Sequence, residues 1–469
     1  MKMSLSTMTT ISPLTNQPVL TRSCVNDLEL QQLPQIATET FLTFSKTPLA
    51  DRQEIVRKAI SLLDSRKDLL GKELTELIGR PISYAANEVS TALKRANYLL
   101  KISDDALQDT PGEAEEGFNR YIKKVPVGPV LILFAWNYPY LILINSLIPA
   151  LLAGNSIILS PSPRAPTIAE HVSSVFLEAG LPQGVIQYIH YASPSQVEVL
   201  IRDPRISHIC FTGSVANGIR VQKTAAERVV NVCLELGGKD PAYIRSDVDI
   251  HWVAEEIVSG SIFNSGQSCC SIERIYVDEK IHDVFVKAMQ KVLQNYVMGD
   301  PFLRETQIGP VVSKDLKKVI ELHINDAIEK GAQDVTPDNK SFTSFPPHGN
   351  FVKPTLLINV THEMLIMNEE TFGPVLPVMS VKDDSEAIRL MNNSDFGLTA
   401  SVWTRDTEKG LEIANQVDAG TVFLNRCDYP SPDLAWTGWK NSGKGVTLSK
   451  FGFDQFVRLK SFHIKQHAK

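Results

Sequence analysis

The sequence predicts an α/β protein with two helix-covered parallel sheets and a small β extension. Three observations carry this. From about residue 130 to 234, short apolar runs rich in β-branched residues alternate with helical periods. A second alternating region runs from Pro241 to about Arg426. Two further segments, 117–125 and 456–464, alternate polar and apolar as exposed strands do, and belong to neither region.

Taken in order, residues 51–79 are helical by period, with Ile55, Ile60, Leu63, Leu70, Leu74 and Leu77 recurring on one side. A second helix is expected over 83–101, and 104–120 is polar and acidic. The first alternating region then reads as strand 130–134, helix 140–153, strand 156–160, helix 166–179, strand 185–189, helix 194–201, strand 208–211, helix 215–227 and strand 229–234. Strands that alternate with helices give a parallel sheet covered on both faces. The second region reads as helix 249–260, strand 274–277, helices 281–296 and 313–329, strands 355–358 and 375–380, helix 384–392, strand 400–403 and helix 406–417. Residues 345–350, rich in Pro and Gly, form a surface loop. The exposed strands 117–125 and 456–464 are expected to stand alone with open edges, which commonly pair with another chain. A homo-oligomer, dimer or tetramer, is the expectation.

The bulk numbers exclude several classes. A chain of 469 residues argues for two to four packed domains. It is 43% hydrophobic and 21% charged, with a net charge of -6, so it carries no electrostatic footprint for nucleic acid or for anionic membranes. Val125 to Pro163 holds no charged residue, but Pro126, Gly128, Pro129, Pro139, Pro149, Gly154 and Asn155 divide it, and buried strand, helix and strand fit better than a membrane span. Six cysteines in a chain this long are not a disulfide framework, and none forms a C-x-x-C pair, so no metal site is expected. The N-terminus lacks the long apolar core of a secretory signal. A reducing, cytoplasmic compartment is expected.

Five segments carry chemistry. Cys269 closes FNSGQSC (263–269), where a turn with inward N–H groups favours thiolate; the alternative is a buried small hydrophobe, the usual fate of a free Cys and the reading kept for Cys270. Glu235, in LELGGK (234–239), ends a strand before two glycines, as a base or as a cap for a neighbouring helix. A thiol with a base suggests a covalent intermediate cleaved by activated water. Asn137, in AWNYP (135–139), lies where a strand meets a helix, and either donates to a developing oxyanion or caps the helix. FTGS (211–214) is a strand-to-helix turn that suits a phosphate or no ligand at all. EETFGPV (369–375) offers an acid for ribose hydroxyls and an aromatic for a flat ring, or is a surface loop.

As an ordered set, these motifs resemble the NAD(P)-dependent aldehyde dehydrogenase superfamily, and the resemblance covers nearly the whole chain. It implies a Rossmann-like cofactor domain (1–116 and 130–237), an α/β catalytic domain (238–440) and a β oligomerisation arm (117–129 and 441–469). It implies Cys269 as nucleophile, Glu235 as general base and Asn137 as oxyanion donor, in a cycle that passes through a thiohemiacetal and a thioester. Relatives that pass the acyl group to coenzyme A lack this base, so Glu235 implies hydrolysis. The resemblance also implies a cofactor site: Gly213 and Ser214 at the pyrophosphate, Phe134, Trp136, Ser160 and Leu236 along the wall, Glu370 on ribose and Phe372 by the nicotinamide.

Two departures bear on the cofactor. Relatives usually carry Lys where Ser160 stands, and many that prefer NAD carry Glu where Pro163 stands. The first loss weakens either cofactor. The second removes the bar against a 2′-phosphate, which Arg164 can pair. NAD is expected, with NADP as the alternative.

By motif position the substrate tunnel includes Tyr138, Leu141, Ile142, Asn145, Phe263 and Ser268, with Arg426 and Trp436 in a segment (425–439) that replaces the family's usual run. Aromatic walls suit an aromatic or medium-chain aldehyde. Second to this stands a semialdehyde whose carboxylate Arg426 holds, unless Arg426 merely pairs with Asp428 or a surface acid. The competing class is a non-catalytic binding protein on the same fold, which Ser160 keeps open. A thiol protease or esterase would need a His beside Cys269, and none is matched.

Overall fold

In the computed structural model, which describes residues 6–466, both alternating regions form sheets. The five parallel strands of the first lie in the order Ile186–Tyr188, Ile157–Pro161, Val130–Phe134, His208–Thr212 and Asn231–Glu235. The chain starts in the middle, winds to one edge, then returns and winds to the other. The reversal falls between Val130–Phe134 and His208–Thr212, whose carboxyl ends frame the crevice where open α/β sheets bind ligands. Both Val130–Phe134 and Ile157–Pro161 are buried throughout, and so is most of the helix Pro139–Ala153 between them. The chargeless stretch is therefore core. Among the described residues, no helix is long and apolar enough to cross a membrane.

The second sheet has six parallel strands, ordered Thr355–Ile358, Val375–Val381, Ile272–Asp278, Asp240–Ile244, Thr399–Trp403 and Thr421–Leu424, with Gln333–Asp334 antiparallel at one edge. Asp240–Ile244 lies near its centre although Pro241 argues against a central strand; the proline sits where the pairing with Ile272–Asp278 shifts register. Thr421–Leu424 was also not anticipated. In the first half, the expected helix over 51–79 is two helices, Leu49–Ser65 and Lys67–Ile78, meeting at Arg66. The hairpin of Thr7–Ile11 with Pro18–Ser23 and the helix Asp27–Phe44 went unread. That helix is mostly exposed and contains Pro34, so its apolar period is faint; its capping box, Asn26 with Glu29, was the legible start.

The two exposed strands are not lone. Val457–Lys465 pairs antiparallel with Phe118–Pro126 along the whole length of both, and Thr110–Pro111 adds a third strand. Each polar-apolar alternation gave a correct strand, but the partner was within the chain. Val457–Lys465 remains at the edge of this sheet, with Leu459 and Ile464 exposed. Gly443–Lys444, expected in the extension, adds an antiparallel edge to the first sheet, with Gly443 opposite Glu235.

Candidate active site

Cys269 lies in a turn between the short 3-10 turn Phe263–Gly266 and the strand Ile272–Asp278. Three consecutive residues before it are left-handed: Asn264 (φ 53), Ser265 (φ 60) and Gly266 (φ 73). Asn and Gly tolerate this region, but adopting it costs Ser265 about 1–2 kcal/mol, so other contacts must hold the turn. Ser265 Oγ donates to the Gly309 carbonyl (2.9 Å), Gln267 Nε2 donates to that of Asn264 (2.9 Å), and Gln267 Oε1 accepts from Val312 N–H (2.8 Å). A Cβ at Gly266 would stand 2.2 Å from the Gly373 carbonyl oxygen, so only glycine fits. The Cys269 thiol is free and half-buried.

Asn137 does not cap the following helix. Tyr138 is the cap residue and its side chain makes no capping bond; the Glu88 carboxylate takes that place, accepting from the N–H groups of Tyr140 (2.8 Å) and Leu141 (3.5 Å). One Asn137 amide hydrogen goes to the Gln267 carbonyl (3.2 Å), which leaves the other free. Arg80, fully buried, pairs with Glu88, donates to the Asn137 carbonyl and to Asn264 Oδ1 (3.3 Å), and stacks 4.4 Å over the Tyr138 ring. One cation thus ties the Asn137 loop to the thiol turn. The sequence reading missed it.

Glu235 ends its strand with Oε2 accepting from Thr212 Oγ1 (3.1 Å) and Oε1 from Thr447 Oγ1. Burial raises its carboxyl above the usual carboxylate range, opposed by those hydroxyls and by the charge of Arg95. The two following glycines are required by close approach. A Cβ at Gly238 would lie 2.4 Å from the Cys269 carbonyl oxygen, and one at Gly237 2.4 Å from Glu370 Oε2. The LELGGK turn therefore presses the acid's strand against both the thiol turn and Glu370.

Glu370 accepts from Gly238 N–H (3.0 Å), and its carboxyl is pushed up to about 8 by burial and then by the neighbouring Glu273. Glu273 forms a buried ion pair with Lys239 (2.6 Å) and accepts from the N–H groups of Thr371 (2.8 Å) and Phe372 (2.9 Å). It fixes Phe372 at φ 53, where the ring meets Trp136 edge-on at 5.8 Å. Glu273 and Lys239 were not singled out from the sequence, since nothing local marks a pair separated by 34 positions.

These residues line two connected spaces. Along the crevice of the first sheet, a cleft of ≈ 650 Å³ is bordered by Phe134, Trp136, Ser160, Gly213 and Ser214, and by Thr9 and Thr10 of the unanticipated hairpin. The Ser160 hydroxyl is buried there with no partner, and Ser214 caps the next helix by accepting from Asn217 N–H (3.4 Å). A sugar hydroxyl fits the first and a phosphate the second. The cleft continues past Trp136 and Gly213 to Leu236, Glu370 and Phe372. Beyond it lies a cavity of ≈ 240 Å³ walled by Tyr84, Tyr138, Leu141, Phe263, Ser268 and Trp436. Asn137, Glu235, Leu236 and Cys269 border both spaces.

Arg426 is not brought to this cavity. It is exposed, with its guanidinium 3.8 Å from the Tyr429 ring. Nor does it pair with Asp428, which instead accepts from Ser268 Oγ (3.2 Å) and Cys270 Sγ (2.9 Å). Cys270 is buried against Leu398, Trp436 and Leu448, as the packing alternative required. The arginines that do border the cavity are Arg80, paired with Glu88, and Arg95.

A doubly wound sheet with a nucleotide-sized cleft running to a thiol, an amide and a buried carboxyl is the layout of a cofactor-dependent enzyme. The comparisons make that particular. The sequence model of the aldehyde dehydrogenase family matches residues 1–462. A probable betaine aldehyde dehydrogenase of Schizosaccharomyces pombe is 30% identical over 454 residues, 96% of this chain and 90% of that one. The structure is similar to a Staphylococcus aureus betaine aldehyde dehydrogenase variant in complex with NAD+ (TM-score 0.93, 28% identity, 99% of this chain and 95% of the other). It is also similar to a succinic semialdehyde dehydrogenase of Streptococcus pyogenes in complex with NADP+ (TM-score 0.92, 29% identity, 98% and 100%). The chain belongs to the aldehyde dehydrogenase family, and is an NAD(P)-dependent oxidoreductase acting on aldehydes.

Proposed function

We propose that this chain oxidises an aromatic or medium-chain aldehyde to the carboxylic acid, through a thiohemiacetal and a thioester on Cys269. The observation that carries the reading is the convergence of Cys269, Glu235 and Asn137 on the boundary shared by cleft and cavity. A substrate carbonyl entering from the cavity meets the thiol there. Cys269 Sγ attacks the carbonyl carbon, and the free amide hydrogen of Asn137 and the Cys269 backbone N–H hold the oxyanion. As the oxyanion collapses, hydride leaves the carbon and the thioester remains. Glu235 takes a proton from water, whose oxygen attacks the thioester; the carboxylate departs and the thiol is freed. The base must be ionised for that step, so its raised pKa belongs on the acid limb of the pH–rate profile.

Bound in the cleft, the nicotinamide cofactor supplies the hydride acceptor. Ser160 would hold the adenosine ribose, Gly213 and Ser214 the pyrophosphate, and Glu370 the second ribose, with Phe134, Trp136, Leu236 and Phe372 as walls. NAD is the preferred form, and Arg164, which lines the cleft, is the group that would admit NADP. The proposal includes a homo-oligomer, dimer or tetramer, formed through the open edge of Val457–Lys465, and a cytoplasmic site of action in keeping with six free thiols.

The test is an aldehyde panel run with both cofactors and followed by absorbance of the reduced nicotinamide. Turnover of aromatic or medium-chain aldehydes is expected. Binding of a cofactor with no turnover of any aldehyde would make the chain a binding protein on this fold.

A further inference from the structure

We propose that Asp428 is a positioning residue for the nucleophile: its carboxylate clamps the residues on both sides of Cys269 and so aims the thiol and the Cys269 backbone N–H. The inference rests on the thiol chemistry above and adds a residue to it. One oxygen of Asp428, Oδ1, accepts from Ser268 Oγ (3.2 Å) and from Cys270 Sγ (2.9 Å). These are the two chain neighbours of Cys269, so a single atom restrains the peptide groups before and after the thiol. The Cys270 thiol is held well above the ordinary thiol range by hydrogen bonding to Cys269 and by burial, so it stays a donor. The rest of the turn is anchored separately. Upstream, Ser265 and Gln267 hold it; downstream, Ser271 Oγ donates to the carbonyls of Gly260 (3.1 Å) and Ser261 (3.0 Å). Among the described residues, Asp428 is the only group outside the turn that the Ser268 and Cys270 side chains bond.

The clamp is itself held in place. Asp428 stands at φ 47, in the left-handed region, a conformation that persists only where the surroundings over-determine it. Three residues earlier, Asn425 locks the chain to Thr404 through both ends of its amide (2.9 and 2.8 Å). Two residues later, Arg95 donates to the Pro430 carbonyl (3.2 Å). The loop is thus fixed on either side of the acid, which meets the thiol turn at the wall of the cavity. The clamp is strongest when ionised, because hydrogen bonds to a charged acceptor are roughly twice as strong as neutral ones. Burial pushes the Asp428 carboxyl up to about 6, against the donors Cys270 and Ser268 and the charge of Arg95. Its other titratable neighbours, Tyr138 and Cys427, are kept neutral by burial, and Glu235 shares Arg95 with it across the cavity. Lowering the pH through that range therefore loosens the turn.

The rate of the first hydride transfer reads this in the purified enzyme with its cofactor and saturating benzaldehyde or hexanal, by stopped-flow absorbance. Asp428→Asn keeps a neutral acceptor and loses the charge. The ratio of the wild-type burst rate to that of this variant, in which the titration of Cys269 cancels, should be roughly tenfold well above the Asp428 pKa and about one below it. Asp428→Ala removes both bonds and should slow the burst by roughly tenfold to a hundredfold, since a small misplacement of a reacting group is costly. The KM for cofactor should not change. Adding Ser268→Ala to Asp428→Ala should slow it little further, because both act through one contact. The Asn variant serves if the Ala variant does not fold. A wild-type to Asn ratio that does not change with pH, or a loss confined to the KM for aldehyde with the burst rate intact, overturns the proposal. Absence of any burst from the wild type on the aldehyde panel fells the oxidation reading and this proposal with it; a burst that the variants leave unchanged fells the proposal alone.

Discussion

Replacing Glu235 by Gln separates the two halves of the proposed cycle. Acylation of Cys269 and departure of hydride do not need the carboxylate, whereas hydrolysis does. Gln is nearly isosteric, and the hydroxyls of Thr212 and Thr447 can rotate to accept from its amide as they now donate to the carboxyl. The geometry should therefore persist. A positioned general base contributes about 10²–10⁴ in rate, so steady-state turnover should fall by that amount. The first turnover should survive as a burst of reduced cofactor approaching one per subunit, read by stopped-flow absorbance. Stability gives a second reading with a definite sign. A carboxyl whose pKa is raised on folding binds its proton more tightly folded than unfolded, so its stabilisation is present below the unfolded pKa and lost as pH rises through the folded one. Other buried carboxyls such as Glu370 act in both proteins, so the wild type should lose more stability over that window than the Gln variant, by the share of Glu235. An unchanged steady-state rate removes the base role. Loss of the burst together with a lowered Tm at neutral pH makes Glu235 a structural cap instead.

Cys269→Ser should lose aldehyde turnover while cofactor binding, read by fluorescence quenching, persists; Cys270→Ser should keep turnover, because a hydroxyl still donates to Asp428. Gly237→Ala places a Cβ 2.4 Å from Glu370 Oε2 and must displace that carboxyl, raising the KM for cofactor by about 2–10-fold, the worth of a neutral hydrogen bond. Arg80→Met leaves Glu88 charged and buried without its partner, which should lower stability by about 3–5 kcal/mol in denaturant titration. Adding Glu88→Gln should recover part of that loss, and the absence of recovery would mean that the pair is not what holds this region.

Most of the architecture was legible because parallel strands buried on both faces read as continuous apolar runs. Val130–Phe134 and Ile157–Pro161 could hardly be missed. Failures came where that signal is absent. Asp240–Ile244 begins with a carboxylate and a proline, yet it is central because Asp240 accepts from the Thr399 N–H (3.1 Å) and from its hydroxyl, a long-range contact with no local trace. At the site, the motif residues were legible because cofactor and chemistry constrain short runs of sequence. Their supports were not, since Arg80 reaches from a helix end to loops at 137 and 264, and Glu273 from a strand to the loop at 371.

The misplaced arginine shows what a motif argument lacks. Arg426 stands in a segment that departs from the family pattern, and departure by itself does not place a side chain at a site. The better signal lay in the helix Ile82–Leu107. Its buried side carries Ala85, Val89, Ala92, Ala96 and Leu99, and among them Glu88 and Arg95, two charges on an apolar stripe. A charge there is kept out of water and must be answered by another group. Glu88 is answered by Arg80 and by the backbone of the Asn137 helix, which makes it structural. Arg95 donates to the neutral oxygens of Asn145 and Pro430, and its charge is answered by the carboxyls of Glu235 and Asp428 across the cavity. The same helix thus carries one charge that joins the site's loops and one that sets the field around Glu235 and Asp428.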